Sequence, residues 1–284
     1  MPTVQTNDIE TYYEQRGSGP PIVFIHGALV NSALWEPQVE QLCDEYTTIT
    51  YDVRGHGHTG GSVRGVYSIE LFADDLAALL SALDIERPVL CGLSMGGCIA
   101  QVYASRHPER VGGLVLADTF TAARLHWRDR LQRLQMKSTL LPARVFGFER
   151  VERALVWLSE RISEDSSGEY ANVRELRANS PTIPTREFGK IVRALTAFSR
   201  STVDLGAITV PTLVLYGEDD VGFIERHSEQ LASTIPNATL REIPNAGHTA
   251  NTDAPAVFTE AVRDLLDDVY APPPDSVESL GLHS

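Results

Sequence analysis

The stretch Pro88-Val-Leu-Cys-Gly-Leu-Ser94-Met-Gly-Gly-Cys-Ile-Ala100 decides how the rest of the chain is read. Val89–Cys91 is a short apolar run of strand type. Gly92-Leu93-Ser94-Met95-Gly96 is a sharp turn, after which helical spacing carries Ile99, Val102 and Tyr103 toward His107-Pro108. A serine on so tight a strand-to-helix turn sits on strained backbone, and its Oγ projects from the top of the sheet. Glycine at 92 and 96 suits a turn that leaves no room for a side chain. Gly97 and Ala100 let the helix lie close to the strand. The first N–H groups of the helix favour negative charge near the serine. The pentapeptide alone is built of common residue types and recurs by chance. The strand before it, the helix after it and partners downstream give it meaning.

Composition narrows the setting. The 284 residues suffice for one large α/β domain with an insertion, and 43% hydrophobic content supports a sizeable core. A net charge of −14 argues against nucleic acid as a partner and disfavours anionic membranes. Lys137 and Lys190 are the only lysines, so arginine carries the positive charge, as expected of a GC-rich or salt-adapted source. Cys43, Cys91 and Cys98 have no disulfide or metal spacing. Met1–Asp8 lacks the basic and apolar regions of a signal peptide, and no apolar run approaches the ~20 residues of a membrane span. A cytoplasmic protein, monomeric or homodimeric, is expected.

Taken in order, the chain alternates. Val4–Asn7 and Ile9–Glu14 read as short strands, and Ile22–Ile25 as a strand buried on both faces. Ser32–Cys43 fits a helix with Ser32 as its cap. Thr47–Tyr51 is a strand that runs into the Gly-rich loop Asp52–Gly61. Ser68–Leu83 is an amphipathic helix, and Val111–Ala117 is a further strand. This spacing predicts a parallel sheet with helical crossovers. The alternation stops after Phe120. Helical stretches follow at Leu125–Lys137, Val151–Ile162, Tyr170–Asn179 and Arg186–Phe198. They read as a cap inserted between two strands rather than a separate helical domain, because the pattern resumes at Val210–Tyr216, the helix Glu225–Ile235, the edge-type strand Ala238–Ile243 and the helix Ala254–Tyr270. The resulting division is a core of 1–120 and 205–271, a helical cap of 121–204 and a flexible C-terminal tail of 272–284.

A serine hydroxyl needs a general base, and the base needs an orienting acid. In an open parallel sheet, site residues gather beyond the carboxyl ends of the strands. His248, in a Gly-containing loop after the last strand, is the candidate base. Asp220, three residues beyond Gly217, is the candidate acid. The order Ser94, Asp220, His248 is the one expected of this sheet type. Asp219 and Asp118 remain alternative acids. His56, His58, His107 and His227 read as surface or structural residues, and His26 as an organiser of its own loop. The oxyanion formed on attack needs preorganised donors. The N–H of Met95 is one. The N–H of Ala28 is the second, with Leu29 as its alternative.

These residues carry a resemblance. His26-Gly27 with Trp35 downstream, Asp52-Val-Arg-Gly-His-Gly57, the Ser94 elbow, His-Pro-Glu-Arg-Val111, Leu-Val-Leu-Tyr-Gly-Glu-Asp-Asp220 and Ala-Gly-His248 together look like the α/β-hydrolase fold superfamily. The likeness spans roughly Ile9–Tyr270 and is weakest in the cap. The elbow and the Asp52 loop most resemble 3-oxoadipate enol-lactonases and related small carboxylesterases. The resemblance implies an α/β fold with a mostly parallel eight-stranded sheet flanked by helices. It also implies a Ser-Asp-His triad, no metal and no organic cofactor, and a small-molecule ester or lactone as substrate. Many relatives carry a proline a few residues after the acid. Here Val221-Gly-Phe-Ile224 follows, so Phe223 is a candidate pocket residue, with Leu29, Leu125, Trp127 and Trp157. A serine nucleophile separates the chain from epoxide hydrolases and dehalogenases. His26-Gly-Ala-Leu29 lacks the Gly-Pro-Gly run of carbon–carbon bond hydrolases and the extra Gly-Gly-Pro of iminopeptidases. Perhydrolase or haloperoxidase-like chemistry on the same triad, and a non-enzymatic ligand-binding role, are the competing readings.

Overall fold

Apolar runs too short for helices become the centre of the sheet. The computed structural model describes residues 2–123, 127–151, 153 and 181–271. Its strands are β1 (Thr3–Thr6), β2 (Ile9–Arg16), β3 (Pro21–Ile25), β4 (Thr47–Tyr51), β5 (Val89–Leu93), β6 (Gly113–Ala117), β7 (Thr212–Gly217) and β8 (Ala238–Ile243). They form one eight-stranded sheet in the order β1-β2-β4-β3-β5-β6-β7-β8. β1, β2 and β4 pair antiparallel, and every pairing from β4 through β8 is parallel. Every residue of β5 and β6 is buried, as expected of strands covered on both faces. β8 lies at the sheet edge and is mostly exposed.

Side-chain alternation sorts the core into two layers. Val23, Ile25 and Leu90 face one cluster, filled by Phe72, Leu76 and Leu79 of α2 (Ile69–Ala82) and by Ile99 and Val102 of α3 (Met95–Arg106). Ile22, Phe24, Val89 and Cys91 face the other, filled by Val39 and Leu42 of α1 (Glu36–Leu42) and by residues of the last long helix, among them Phe258 and Val262. Ser68 caps α2 by accepting the Leu71 N–H at 3.1 Å. The start of the first helix differs from expectation. Asn31, not Ser32, is its cap, and a 3-10 turn over Ser32–Trp35 precedes α1. Pro37 lacks an N–H and is tolerated in the first helical turn, so the regular helix begins at Glu36.

Between β6 and β7 the described residues form α4 (Trp127–Ser138), α5 (Leu140–Phe146) and α6 (Thr185–Phe198), and contain no strand. The expected helices Val151–Ile162 and Tyr170–Asn179 and the tail 272–284 lie largely or wholly outside the described residues. Beyond β7 come α7 (Gly222–Thr234), the short α8 (Ala250–Asp253) and α9 (Pro255–Tyr270). α6 buries Phe188, Ile191, Val192, Leu195 and Phe198, one stripe at helical spacing. It also buries Glu187 and Lys190, which are 5% and 2% exposed. Lys190 Nζ donates to Glu187 at 2.7 Å and to the Ser62 carbonyl at 2.9 Å. The Tyr67 hydroxyl donates to Glu187 at 2.5 Å, and Lys190 lies over the Tyr67 ring. These bonds fasten α6 to the loop that follows β4. Removing one member of a buried ion pair leaves the other charge uncompensated. Glu187→Gln is therefore expected to lower unfolding free energy by about 3 kcal/mol, read from urea midpoints; an unchanged midpoint would mean that apolar packing alone holds α6.

The turn between β5 and α3 is held by backbone contact. A Cβ on Gly96 would drive into the carbonyl oxygen of Ile25, and one on Gly92 into the carbonyl of Gly96. Gly96→Ala is expected to cost about 3 kcal/mol or more, since the clashing atom is backbone and cannot rotate away. The measurement is the same urea titration, with Ser105→Ala at a half-buried position of the same helix as a reference for a tolerated change.

Candidate active site

Sheet topology decides where a site can form. The chain passes from β3 to β4 on one side and then returns across β3 to β5 on the other. Loops leaving β3 and β5 therefore diverge and leave a crevice at their carboxyl ends. Register aligns Leu93 with Ala117 and Ala117 with Leu215, and Gly217 with Ile243. The segments that follow these strands carry Ser94, Asp118, Asp220 and His248 to one edge.

Ser94 has φ 52° and ψ −112°, a left-handed backbone that a non-glycine residue seldom adopts. Its N–H donates to the Ala117 carbonyl at 2.9 Å, and its carbonyl accepts from the Thr119 hydroxyl at 2.6 Å. His248 comes from the loop between β8 and α8. Its Nε2 lies 3.0 Å from Ser94 Oγ, and its Nδ1 lies 2.9 Å from Asp220 Oδ2. An ionised carboxylate can only accept, so Nδ1 carries the proton and Nε2 is left to accept from the serine hydroxyl. The Asp220 side chain is 1% exposed, whereas that of His248 is 40% exposed. The second Asp220 oxygen accepts the Val221 N–H at 2.6 Å. Gly217 has no substitute here: a Cβ would strike the carbonyls of Ala246 and Gly247, where the acid-bearing and base-bearing loops touch.

The structure thus brings together Ser94, His248 and Asp220 in the order read from the sequence. The alternative acids are not in that position. Asp219 is exposed, and its N–H donates to Ala246. Asp118 is fully buried and accepts the Gly217 N–H at 2.9 Å and the Ala250 N–H at 3.1 Å. Burial pushes its carboxyl up to about 7, with His248 opposing the shift and Asp220 adding to it.

Burial likewise sorts the other histidines. His26 donates from Nδ1 to the Gly27 carbonyl at 2.7 Å and accepts the Val53 N–H on Nε2 at 2.9 Å, so both nitrogens organise the loop as expected. Burial lowers its basicity, and pushes His56 down to about 3. His58 sits near Asp52, and His107 ends α3 beside the Tyr103 ring. His227 is buried, and its Nδ1 accepts the Thr121 N–H at 3.2 Å.

The β3 loop passes beside the elbow. A Cβ at Gly27 would sit 3.6 Å from the Ser94 Cβ. Ala28 and Leu29 follow Gly27, Leu29 with φ 64°, and Met95 opens α3 directly after Ser94. Phe223 stands on the first turn of α7, in an aromatic cluster with Phe120, Phe198 and His227; its ring centroid is 5.7 Å from Phe120 and 4.4 Å from His227. Leu125 and Trp157 lie outside the described residues. Trp127 opens α4, and its side chain lies outside them as well. Phe120 and Phe198 were not foreseen. The signal available for Phe120 was its place three residues past a strand end. For Phe198 it was only the last turn of a predicted helix. Among the described residues no group of three or more His, Cys, Asp or Glu is placed to hold a metal, and no helix is long and apolar enough to cross a membrane.

Comparison with known proteins agrees with this fold. The chain is 31% identical over 264 residues to a non-heme chloroperoxidase of Kitasatospora aureofaciens, covering 87% of this chain and 92% of that one. It is 29% identical over 279 residues to 3-oxoadipate enol-lactonase 2 of Acinetobacter baylyi, covering 93% and 96%. Among solved structures, a thermophilic esterase from Thermogutta terrifontis matches with a TM-score of 0.79 at 29% identity, over 95% of this chain and 99% of that one. The family model for the alpha/beta hydrolase fold matches residues 20–255, and the chain belongs to that family.

Proposed function

We propose that the protein is a serine hydrolase that cleaves carboxylic esters or lactones through an acyl-enzyme. The observation that carries this reading is the unbroken relay from Ser94 Oγ to His248 to the buried Asp220, built on a strained elbow. His248 Nε2 takes the Ser94 proton as Oγ attacks the carbonyl carbon. The N–H groups of Met95 and Ala28 receive the developing oxyanion, each worth ~3–4 kcal/mol of transition-state stabilisation. His248 then returns its proton to the leaving alkoxide. In the second half it deprotonates water, which releases the acid and restores the serine. Asp220 fixes the imidazole tautomer and stabilises the imidazolium. The helical segment 121–204 acts as a cap, and Phe223 with its aromatic neighbours forms one apolar wall of the pocket. Likenesses to an esterase and an enol-lactonase support the substrate class.

The likeness to a non-heme chloroperoxidase supports a second reading. Hydrogen peroxide replaces water in deacylation, giving a peracid and free Ser94. Peracid formation from acetate and peroxide, measured beside ester hydrolysis, separates the two.

Wild-type protein is expected to hydrolyse p-nitrophenyl acetate and to be labelled by a fluorophosphonate. Ser94→Ala is expected to lose at least about 1,000-fold in kcat and all labelling, with an unchanged melting temperature. Undiminished turnover by the variant would sink the assignment, and a folded wild type that neither reacts nor labels would favour a binding role.

A further inference from the structure

β6 supplies no member of the triad, yet its end touches all three loops that do. Asp118 and Thr119 follow Ala117 directly. Thr119 Oγ1 donates to the Ser94 carbonyl at 2.6 Å, behind the nucleophile. Asp118 Oδ1 accepts the N–H of Gly217, three residues before the acid. Asp118 Oδ2 accepts the N–H of Ala250, two residues after the base. Asp118 is 0% exposed and has φ 45°, a backbone region that costs an aspartate roughly 1 kcal/mol or more. Burying a carboxylate in strained backbone is doubly unfavourable. The two N–H bonds that compensate it are the ones that join the acid and base loops.

We propose that Asp118 and Thr119 are positioning residues that set the relative placement of Ser94, Asp220 and His248. This rests on the serine-hydrolase reading of those three residues. The titratable groups that act on Asp118 are His248 and Asp220, and both of its oxygens face backbone N–H groups. His248 in turn meets Asp220 and Ser94 directly, and the neighbouring Gly247 N–H is held by Asp253.

Three variants separate the roles. In Asp118→Asn the amide offers one acceptor and one donor, so it can satisfy only one of the two N–H groups and carries no charge. It is expected to lower kcat for p-nitrophenyl acetate by about tenfold with KM nearly unchanged. It should also shift or broaden the low-field His248 Nδ1 proton resonance that reports the bond to Asp220, because the loops carrying the two residues lose one of their ties. Thr119→Val removes the hydroxyl that holds the Ser94 carbonyl, together with its 3.7 Å contact to Cys98 Sγ, so it is expected to lower kcat and leave that resonance in place. Asp118→Gly relieves the backbone strain but leaves both loops untied, and is expected to lose about 100-fold in kcat. Melting temperatures report folding for each. Wild-type kcat in Asp118→Gly would mean the position is only a turn, and an unmoved His248 Nδ1 resonance in Asp118→Asn would mean that Asp118 does not set the bond between His248 and Asp220. The NMR readout needs no turnover. If wild type and Ser94→Ala are equally inert toward ester and fluorophosphonate, the hydrolase reading fails while the placement of His248 against Asp220 is still decided.

Discussion

The carbonyl of Ile25, at the end of β3, lies where a side chain on Gly96 would have to go. That backbone-to-backbone approach is the constraint on which the site depends. It forces the turn between β5 and α3 to be tight, and the tight turn forces Ser94 into a left-handed conformation. The strain is held by two bonds from the end of the neighbouring strand β6, through Ala117 and Thr119. The β3 loop passes close by as well, since a Cβ at Gly27 would sit 3.6 Å from the Ser94 Cβ. The strained serine and the close passage of that loop thus share one steric origin.

Electrostatic environment then separates residues of one type into different tasks. His26 and His56 are fully buried and bonded to backbone, which disfavours their charged forms. They hold loops. His248 is partly exposed and stands against a buried carboxylate, so it can accept and lose a proton. The aspartates divide in the same way. Asp220 keeps one oxygen for the imidazole, whereas both oxygens of Asp118 are taken by backbone N–H groups.

Much of this was legible in the sequence because it is local. Apolar runs of four or five residues, glycines at 92 and 96, and the order Ser94, Asp220, His248 follow from covalent spacing and strand ends. What escaped was tertiary. Asp118 reads from sequence as a rival acid, because a carboxylate at a strand end is all that one dimension records. Its partners, Gly217 and Ala250, are 99 and 132 residues away. The cap of the first helix was missed by one residue because Asn31 and Ser32 are both good caps, and Pro37 decides which turn becomes regular. The aromatic cluster of Phe120, Phe198 and Phe223 joins three elements that share no sequence pattern.

The burial of Lys190 has a practical side. The chain has two lysines, and this one is held beneath the Tyr67 ring and bonded to Glu187. Lys137, on the last turn of α4, is exposed. Lysine side-chain coupling to a resin, dye or surface thus has one accessible address, on the segment between β6 and β7. Molecules attached through it would share one orientation, with the tether on that helical segment and not on the sheet.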